Sequence, residues 1–228
     1  CSRFPEAHII NRPTGIWTTS SKRFLLNFPE LCPPMAHCRS VDDILAFRDQ
    51  QAMVLKPLRS YGGQGIIRID GDRAWLGLKE LSLDRLLEIL DQQEVDYLAM
   101  AYLSQVGQGD KRVIVVNGQV LGGVLRVPAA DSWLCNAAQG GRAEASEADA
   151  DEQAIAARLT PTLREHGILI YGFDTLVNDD GHRVLSEINT MSIGGMPQMA
   201  ALSGRPIVEQ VAEHIWEYVN QSMYGLAS

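Results

Sequence analysis

The chain has 228 residues, enough for one large or two small domains with buried cores, and its 46% apolar and 21% charged residues are those of an ordinary globular protein. A formal net charge of −8 argues against a nucleic-acid sheath or a surface for anionic membranes, so an anionic ligand needs a local cluster of cations. No apolar run reaches membrane-spanning length and no signal-peptide pattern is read, which points to a cytoplasmic protein.

The chain begins at Cys1 without a methionine and reads as a fragment of something longer. The four cysteines (Cys1, Cys32, Cys38, Cys135) show no paired metal spacing. Cys32 and Cys38 read as free thiols in a reducing cytoplasm, with a bridge between them as the alternative. Residues 1–35 form a lead-in punctuated by Pro5, Pro13, Pro29, Pro33 and Pro34, with one short helix over Ser21–Phe28 carrying Lys22 and Arg23.

Ser40, followed by Asp42 and Asp43, caps a helix running to Arg48. Met53–Pro57 reads as a strand, Ser60-Tyr61-Gly62-Gly63-Gln64-Gly65 as a glycine-rich turn, and Ile66–Ile69 as a second strand. Strand, loop, strand excludes a P-loop and a dinucleotide fingerprint, both of which open a helix. A glycine-rich hairpin can instead fold over phosphates with its backbone N–H groups, and Lys56 stands one strand before it. An ordinary hairpin turn has the same look.

Ser82 caps an amphipathic helix to Gln92 that buries Leu83, Leu86, Leu87 and Leu90. The apolar strand Asp96–Leu103 leads into Ser104–Gly109, read as the joint between a smaller lobe (36–103) and a larger one (104–228). Lys111–Val116, the turn Asn117-Gly118 and Gln119–Val127 make a hairpin. Asp110 and Arg112 share a strand face, and Arg126 joins them only if a bulge intervenes, which Gly122-Gly123 can supply. A long loop over Pro128–Gly141 follows. Ser146–Asp149 reads as a capping box for a helix to His166 that Gly167 stops and Pro161 kinks, with His166 as a cation at its C-terminus. Pro206 opens the last helix, with Ile207, Val211, Ile215 and Val219 inward.

Between those helices lies an acidic hairpin. Leu169–Val177 and Arg183–Asn189 flank Asn178-Asp179-Asp180-Gly181, and a two-residue turn at Asp180-Gly181 places Asp174 opposite Glu187, with Asn189 on the same face. Opposed carboxylates destabilise a bare hairpin, so a counter-charge is expected, and hard oxygen ligands suit Mg²⁺. A solvated acidic face is the competing reading. The five histidines are scattered, which leaves no support for a His-based metal site or a Ser-His-Asp triad.

In this order, the segments resemble the ATP-grasp superfamily, and within it the bacterial type of glutathione synthetase. The matching residues are Asn11-Arg12-Pro13 leading to Lys22, Leu55-Lys56-Pro57 with Gly62-Gly63, Gly109–Val113, and Leu125–Pro128. They continue through Asn136 with Gly140–Arg142, Pro161–Leu163, Gly172-Phe173-Asp174 and Glu187-Ile188-Asn189.

The resemblance implies an α+β fold in which two lobes with mostly antiparallel sheets clasp ATP. It implies that Lys22 and Lys56 meet the phosphates under a flap of Gly62, Gly63, Gln64 and Gly65. Adenine would lie against Met100, Ala101, Tyr102 and Leu103, with Asp110 completing the nucleotide site. Asp174, Glu187 and Asn189 would hold Mg²⁺, two ions in the family pattern, with Mn²⁺ as an alternative. Arg112 and Arg126 would be the catalytic cations. Arg126, Asn136, Gly141, Arg142, Ser192, Gly194 and Gly195 would contact substrate. The implied reaction is ATP-dependent carboxylate–amine ligation through an acyl phosphate, on small molecules such as an amino acid or short peptide. No nucleic acid or membrane partner is implied, and a homo-oligomer is compatible with the pattern. ATP-dependent phosphoryl transfer to a hydroxyl, and a non-catalytic ATP-binding module, are the competing functions.

Two departures stand out. Glutathione synthetases carry an arginine in the covering loop where this chain has Leu134, beside Trp133, and Thr190–Gly195 differs from the family's usual peptide-binding segment. The N-terminal domain that completes the family's substrate site also has no counterpart in this sequence. With Trp133 and Leu134 in the covering loop, a less anionic or more apolar substrate than γ-glutamylcysteine is expected.

Overall fold

The computed structural model describes residues 9–60, 62–77, 79–129, 132–133, 142–191 and 193–224. Two antiparallel sheets carry the chain. The first is built from β1 (Met35–Cys38), β2 (Met53–Pro57), β3 (Ile67–Asp70), β4 (Arg73–Leu76), β5 (Lys79–Ser82) and β6 (Tyr97–Ala101), in the order β1-β6-β2-β3-β4-β5. Helices α2 (Val41–Arg48) and α3 (Leu83–Asp91) cover one face, where Ile44, Phe47, Leu83, Leu86 and Leu90 bury against Met53, Leu55, Ile67 and Ile69. Both helices start as the sequence predicts. The Ser40 hydroxyl accepts from the Asp43 N–H and the Ser82 hydroxyl from the Arg85 N–H, satisfying amide groups left over at a helix start.

The second sheet comprises β7 (Asp110–Val116), β8 (Gln119–Val127), β9 (Arg142–Ser146), β10 (Ile170–Val177) and β11 (Arg183–Asn189), in the order β11-β10-β7-β8-β9. Helix α4 (Ala150–Glu165) packs on one face through Ile155, Leu159 and Leu163, with Tyr171 and Phe173 in the same core. Helices α5 (Met196–Ser203) and α6 (Ile207–Tyr224) cover the other through Met199 and Ile207. Among the described residues, no helix is long and apolar enough to cross a membrane.

Two irregularities set the registers that matter. Asn117 and Gly118 both have positive φ (50° and 80°), the conformation of a type I′ turn. The β7–β8 pairing then slips at Ile114/Val115, which leaves Leu121 as the extra residue and brings Arg126 opposite Asp110. Gly122, at φ 136°, accommodates that bulge. In the acidic hairpin the predicted turn is wrong although its consequence holds. The connection runs from Asn178 to His182, organised by the Asn178 side-chain oxygen accepting from the N–H groups of Asp180 and His182. Val177 pairs with Arg183, and a bulge at Ser186 restores the pairing of Asp174 with Glu187.

Other boundaries also differ. Ser146 ends β9, and α4 is capped by Asp149, which forms the capping box with Glu152. Glu152 is fully buried and paired with Lys111 at 2.7 Å, a long-range partner that decides between two similar local patterns. Pro161 lies inside a continuous helix, and His166 stacks edge-on against Phe24 at 5.6 Å. Cys32 and Cys38 are free thiols, pushed by burial up to about 12 and about 11.

The lead-in is more structured than its prolines suggest. Helix α1 (Pro13–Thr19) precedes a 3₁₀ helix over Lys22–Asn27. Asn11 fastens the segment to the acidic hairpin. Its amide nitrogen donates to Ile170 O (2.6 Å) and Thr190 O (3.0 Å), and its oxygen accepts from the N–H groups of Leu169 (2.8 Å) and Ile170 (2.9 Å). Asn11→Ala would leave buried backbone groups unpaired, so we expect a loss of about 1–3 kcal/mol in urea unfolding.

Candidate active site

A cavity of about 480 Å³ lies between the two sheets. Its apolar end is formed by Val54 of the first sheet, by Ile66 just before β3, by Met100–Leu103 and by Leu176. Its polar end gathers Lys56, Asp110, Arg112, Arg126, Asp174, Glu187 and Asn189. Strand alternation explains the gathering: Asp110 pairs with Arg126, and beside that pair runs the row Arg112, Asp174 and Glu187, so five charged side chains share one sheet face across four strands.

The cluster neutralises itself. Arg112 donates to both carboxylate oxygens of Asp174, each at 2.7 Å, while Arg126 approaches the same carboxylate at 3.0 Å. Arg126 also donates from Nε to Asp110 at 3.2 Å. Burial alone would raise the carboxyl of Asp174, yet the two guanidinium groups outweigh it and bring it down to about 2. Asp110 goes the other way, up to about 6, because burial and the neighbouring Asp174 charge exceed the help it gets from Arg126. Burial lowers the ammonium of Lys56 despite the opposing pull of Glu187; its proton is donated to Ser186 O at 2.9 Å.

These shifts fix the sign of a pH dependence. The folded state keeps a proton on Asp110 that the unfolded chain releases, so this group's contribution to stability falls as pH rises from about 4 to about 6. Asp174 contributes above the ordinary carboxylate range, and its contribution is lost as pH falls towards 2. Asp110→Asn is expected to gain on the wild type in unfolding free energy between pH 4 and pH 7, by roughly 1–3 kcal/mol, with a melting temperature that rises accordingly. Thermal unfolding across that range checks it.

Most residues singled out in the sequence line this one cavity, including Gly62, Gly63 and Gly194. Several do not. Lys22 is buried beneath the glycine turn, where its ammonium donates to Ser60 O at 2.6 Å and lies 3.6 Å from the Glu187 carboxylate. Gln64 and Gly65 belong to the same turn but stand back from the cavity. Gly195 caps α5 beside Arg112. Arg142 sits at the start of the edge strand β9, exposed and paired with Glu144. Asn136, Gly141, Ser192 and Leu134 lie outside the described residues.

Trp133, which the sequence marks only as the neighbour of Leu134, lines the cavity and donates its indole N–H to Gly77 O at 3.1 Å, across to the β4–β5 turn. The hinge N–H groups of Ala101 and Tyr102 are already donated to Pro34 O and Ala52 O.

The donor set suits a hard cation. Among the described residues no three His, Cys, Asp or Glu side chains converge; the third oxygen beside Asp174 and Glu187 belongs to the amide of Asn189. The nitrogen of that amide is buried without a partner among the described residues, none of which fixes the amide's orientation through it.

Residues 21–204 match the family described as the ATP-grasp domain of prokaryotic glutathione synthetase. A glutathione synthetase of Bradyrhizobium diazoefficiens is 34% identical over 95% of this chain and 65% of its own length. One of Prochlorococcus marinus is 37% identical over 89% and 63%. The chain thus spans about 65% of the length of such relatives. Among solved structures, D-cycloserine synthetase DcsG superposes with a TM-score of 0.63 at 15% identity, covering 89% of this chain and 71% of the other. The ATP complex of D-alanine–D-alanine ligase from Bacillus anthracis does so at 0.58 and 13%, covering 93% and 71%. At such identities the likeness concerns the fold, which is ATP-grasp.

Proposed function

Because the chain belongs to the family of the prokaryotic glutathione synthetase ATP-grasp domain, we propose that it carries the ATP and metal site of a carboxylate–amine ligase. The observation that carries this reading is the cluster of Asp110, Arg112, Arg126, Asp174 and Glu187 beside the buried ammonium of Lys56, at one end of a cavity whose other end is apolar and hinge-lined. An apolar slot for a base leading into a cluster of cations and hard oxygens suits a nucleoside triphosphate with its metal.

Adenine enters against Met100–Leu103 and Leu176, and the triphosphate runs under Gly62 and Gly63 to Lys56. Lys22 holds Glu187 and the carbonyl of Ser60 in place at the base of this flap. Mg²⁺ on the oxygens of Asp174, Glu187 and Asn189 would neutralise the phosphates and polarise the γ-phosphorus. We assign two ions, with Mn²⁺ as an alternative. With the metal held by Asp174, Arg112 and Arg126 would serve the transferring phosphoryl group and the carboxylate that attacks it.

An oxygen of the substrate carboxylate forms a bond to the γ-phosphorus while the bond to ADP breaks. The amine lone pair then attacks the acyl carbon, the C–N bond forms and the C–O bond to phosphate breaks. Two protons leave the ammonium nitrogen in all, one going to phosphate and one to solvent. The substrates are an amino acid or short peptide and an amine. The free thiols of Cys32 and Cys38 support a reducing, cytoplasmic setting.

Hydroxylamine tests this reading. It should intercept the acyl phosphate and give a hydroxamate that depends on ATP, metal and a carboxylate substrate. No hydroxamate from any carboxylate in a broad panel of amino acids and dipeptides would overturn it.

A further inference from the structure

A second cavity, of about 330 Å³, opens beside the end of β11 and shares Glu187, Asn189 and Met191 with the first. Its outer wall is unusual in two respects. Trp17 and Met191 are 74% and 70% exposed, although large apolar side chains left bare together mark binding surfaces more than ordinary ones. Arg59 lies over the Trp17 ring at 5.1 Å and has no carboxylate partner among the described residues. The backbone beneath it is fixed, since Leu58 O accepts from the Lys22 N–H and Ser60 O from the Lys22 ammonium. Stacking on Trp17 therefore holds this guanidinium at a defined place.

We propose that this second cavity receives the amine substrate, and that this substrate is an α-amino acid with an apolar side chain whose carboxylate is bound by Arg59. The inference rests on the ligase reading above. Adenine and phosphates fill the first cavity up to Glu187, so the attacking amine must come from the other side of the β11 end, where the second cavity opens. Arg59 supplies the charge for the acceptor's carboxylate, and the amine advances past the end of β11, where Glu187, Asn189 and Met191 border both cavities. Ile16, Trp17 and Met191 form an apolar wall that glycine would leave uncovered and a leucine side chain would cover.

The test uses the full-length enzyme and phosphate release with leucine, glycine and leucinamide as acceptors. The expected order is leucine best, with glycine and leucinamide each poorer by roughly tenfold or more. Arg59→Gln should bring leucine down to the level of leucinamide, and Arg59→Lys should restore part of the difference. Trp17→Ser should erase the preference for leucine over glycine. Glycine as the best acceptor, or either preference surviving its variant, would overturn the proposal.

Saturation-transfer NMR with leucine in the presence of Mg²⁺ and a non-hydrolysable ATP analogue keeps the site testable apart from turnover. Transfer in the wild type that both variants lose supports it, and transfer that they keep refutes it. A chain that yields no hydroxamate yet still binds leucine through Arg59 would fail the ligase reading while keeping the site.

Discussion

Asp174→Asn is expected to abolish metal-dependent ATP binding and to destabilise the fold by about 3–5 kcal/mol, the usual cost of breaking a buried ion pair from one side. Asp174 is 3% exposed and is the shared anion of Arg112 and Arg126. An amide there accepts a hydrogen bond but carries no charge, which leaves two buried guanidinium groups with Asp110 as their remaining partner. Glu187→Gln separates the two effects. Its side chain is 27% exposed and its cation, Lys22, lies at 3.6 Å, so metal-dependent binding should be lost with little change in stability. Calorimetry with an ATP analogue, with and without EDTA, reads the first effect, and urea unfolding reads the second. Affinity indifferent to EDTA in the wild type would remove the metal from the account.

Lys56→Met should weaken binding of the metal–nucleotide complex about ten- to a hundredfold, as expected for a charge-assisted contact to phosphate. Stability should move the other way or not at all. Lys56 is 8% exposed, its ammonium has the Ser186 carbonyl as its hydrogen-bond acceptor, and burial disfavours its charge. A methionine of similar length relieves that cost. Lower stability with affinity changed less than twofold would make Lys56 a structural residue.

Much of this site is legible in the sequence because it depends on local devices. Asn117-Gly118 fixes one hairpin, and the alternation of Asp110, Arg112 and Asp174 along strands does the rest once Gly122 admits a bulge. The pairing of Asp174 with Glu187 follows from the wrong turn: a longer loop and a bulge at Ser186 shift the register by one each, in opposite senses. Counting residues cannot separate the two routes.

What escapes the sequence is set by distance. Asn11 makes its hydrogen bonds nearly 160 residues or more along the chain, and the local start signal of α1, Pro13, does not stand out among the other prolines of the lead-in. Trp17 and Arg59 meet only once α1 is docked, and the short strands β4 and β5 lack a long apolar alternation. Lys22 is a cation in both readings, but the backbone carbonyl that holds it could not be foreseen.

In the proposed reaction a carboxylate oxygen passes to phosphate during turnover. A carboxylate substrate that yields hydroxamate, labelled with ¹⁸O in both carboxylate oxygens, tests it directly when turned over with the full-length enzyme, ATP, metal and an amine. Inorganic phosphate carrying one ¹⁸O is expected, with the other kept in the amide. Unlabelled phosphate alongside consumed ATP, or phosphate found esterified to a hydroxyl, would contradict it.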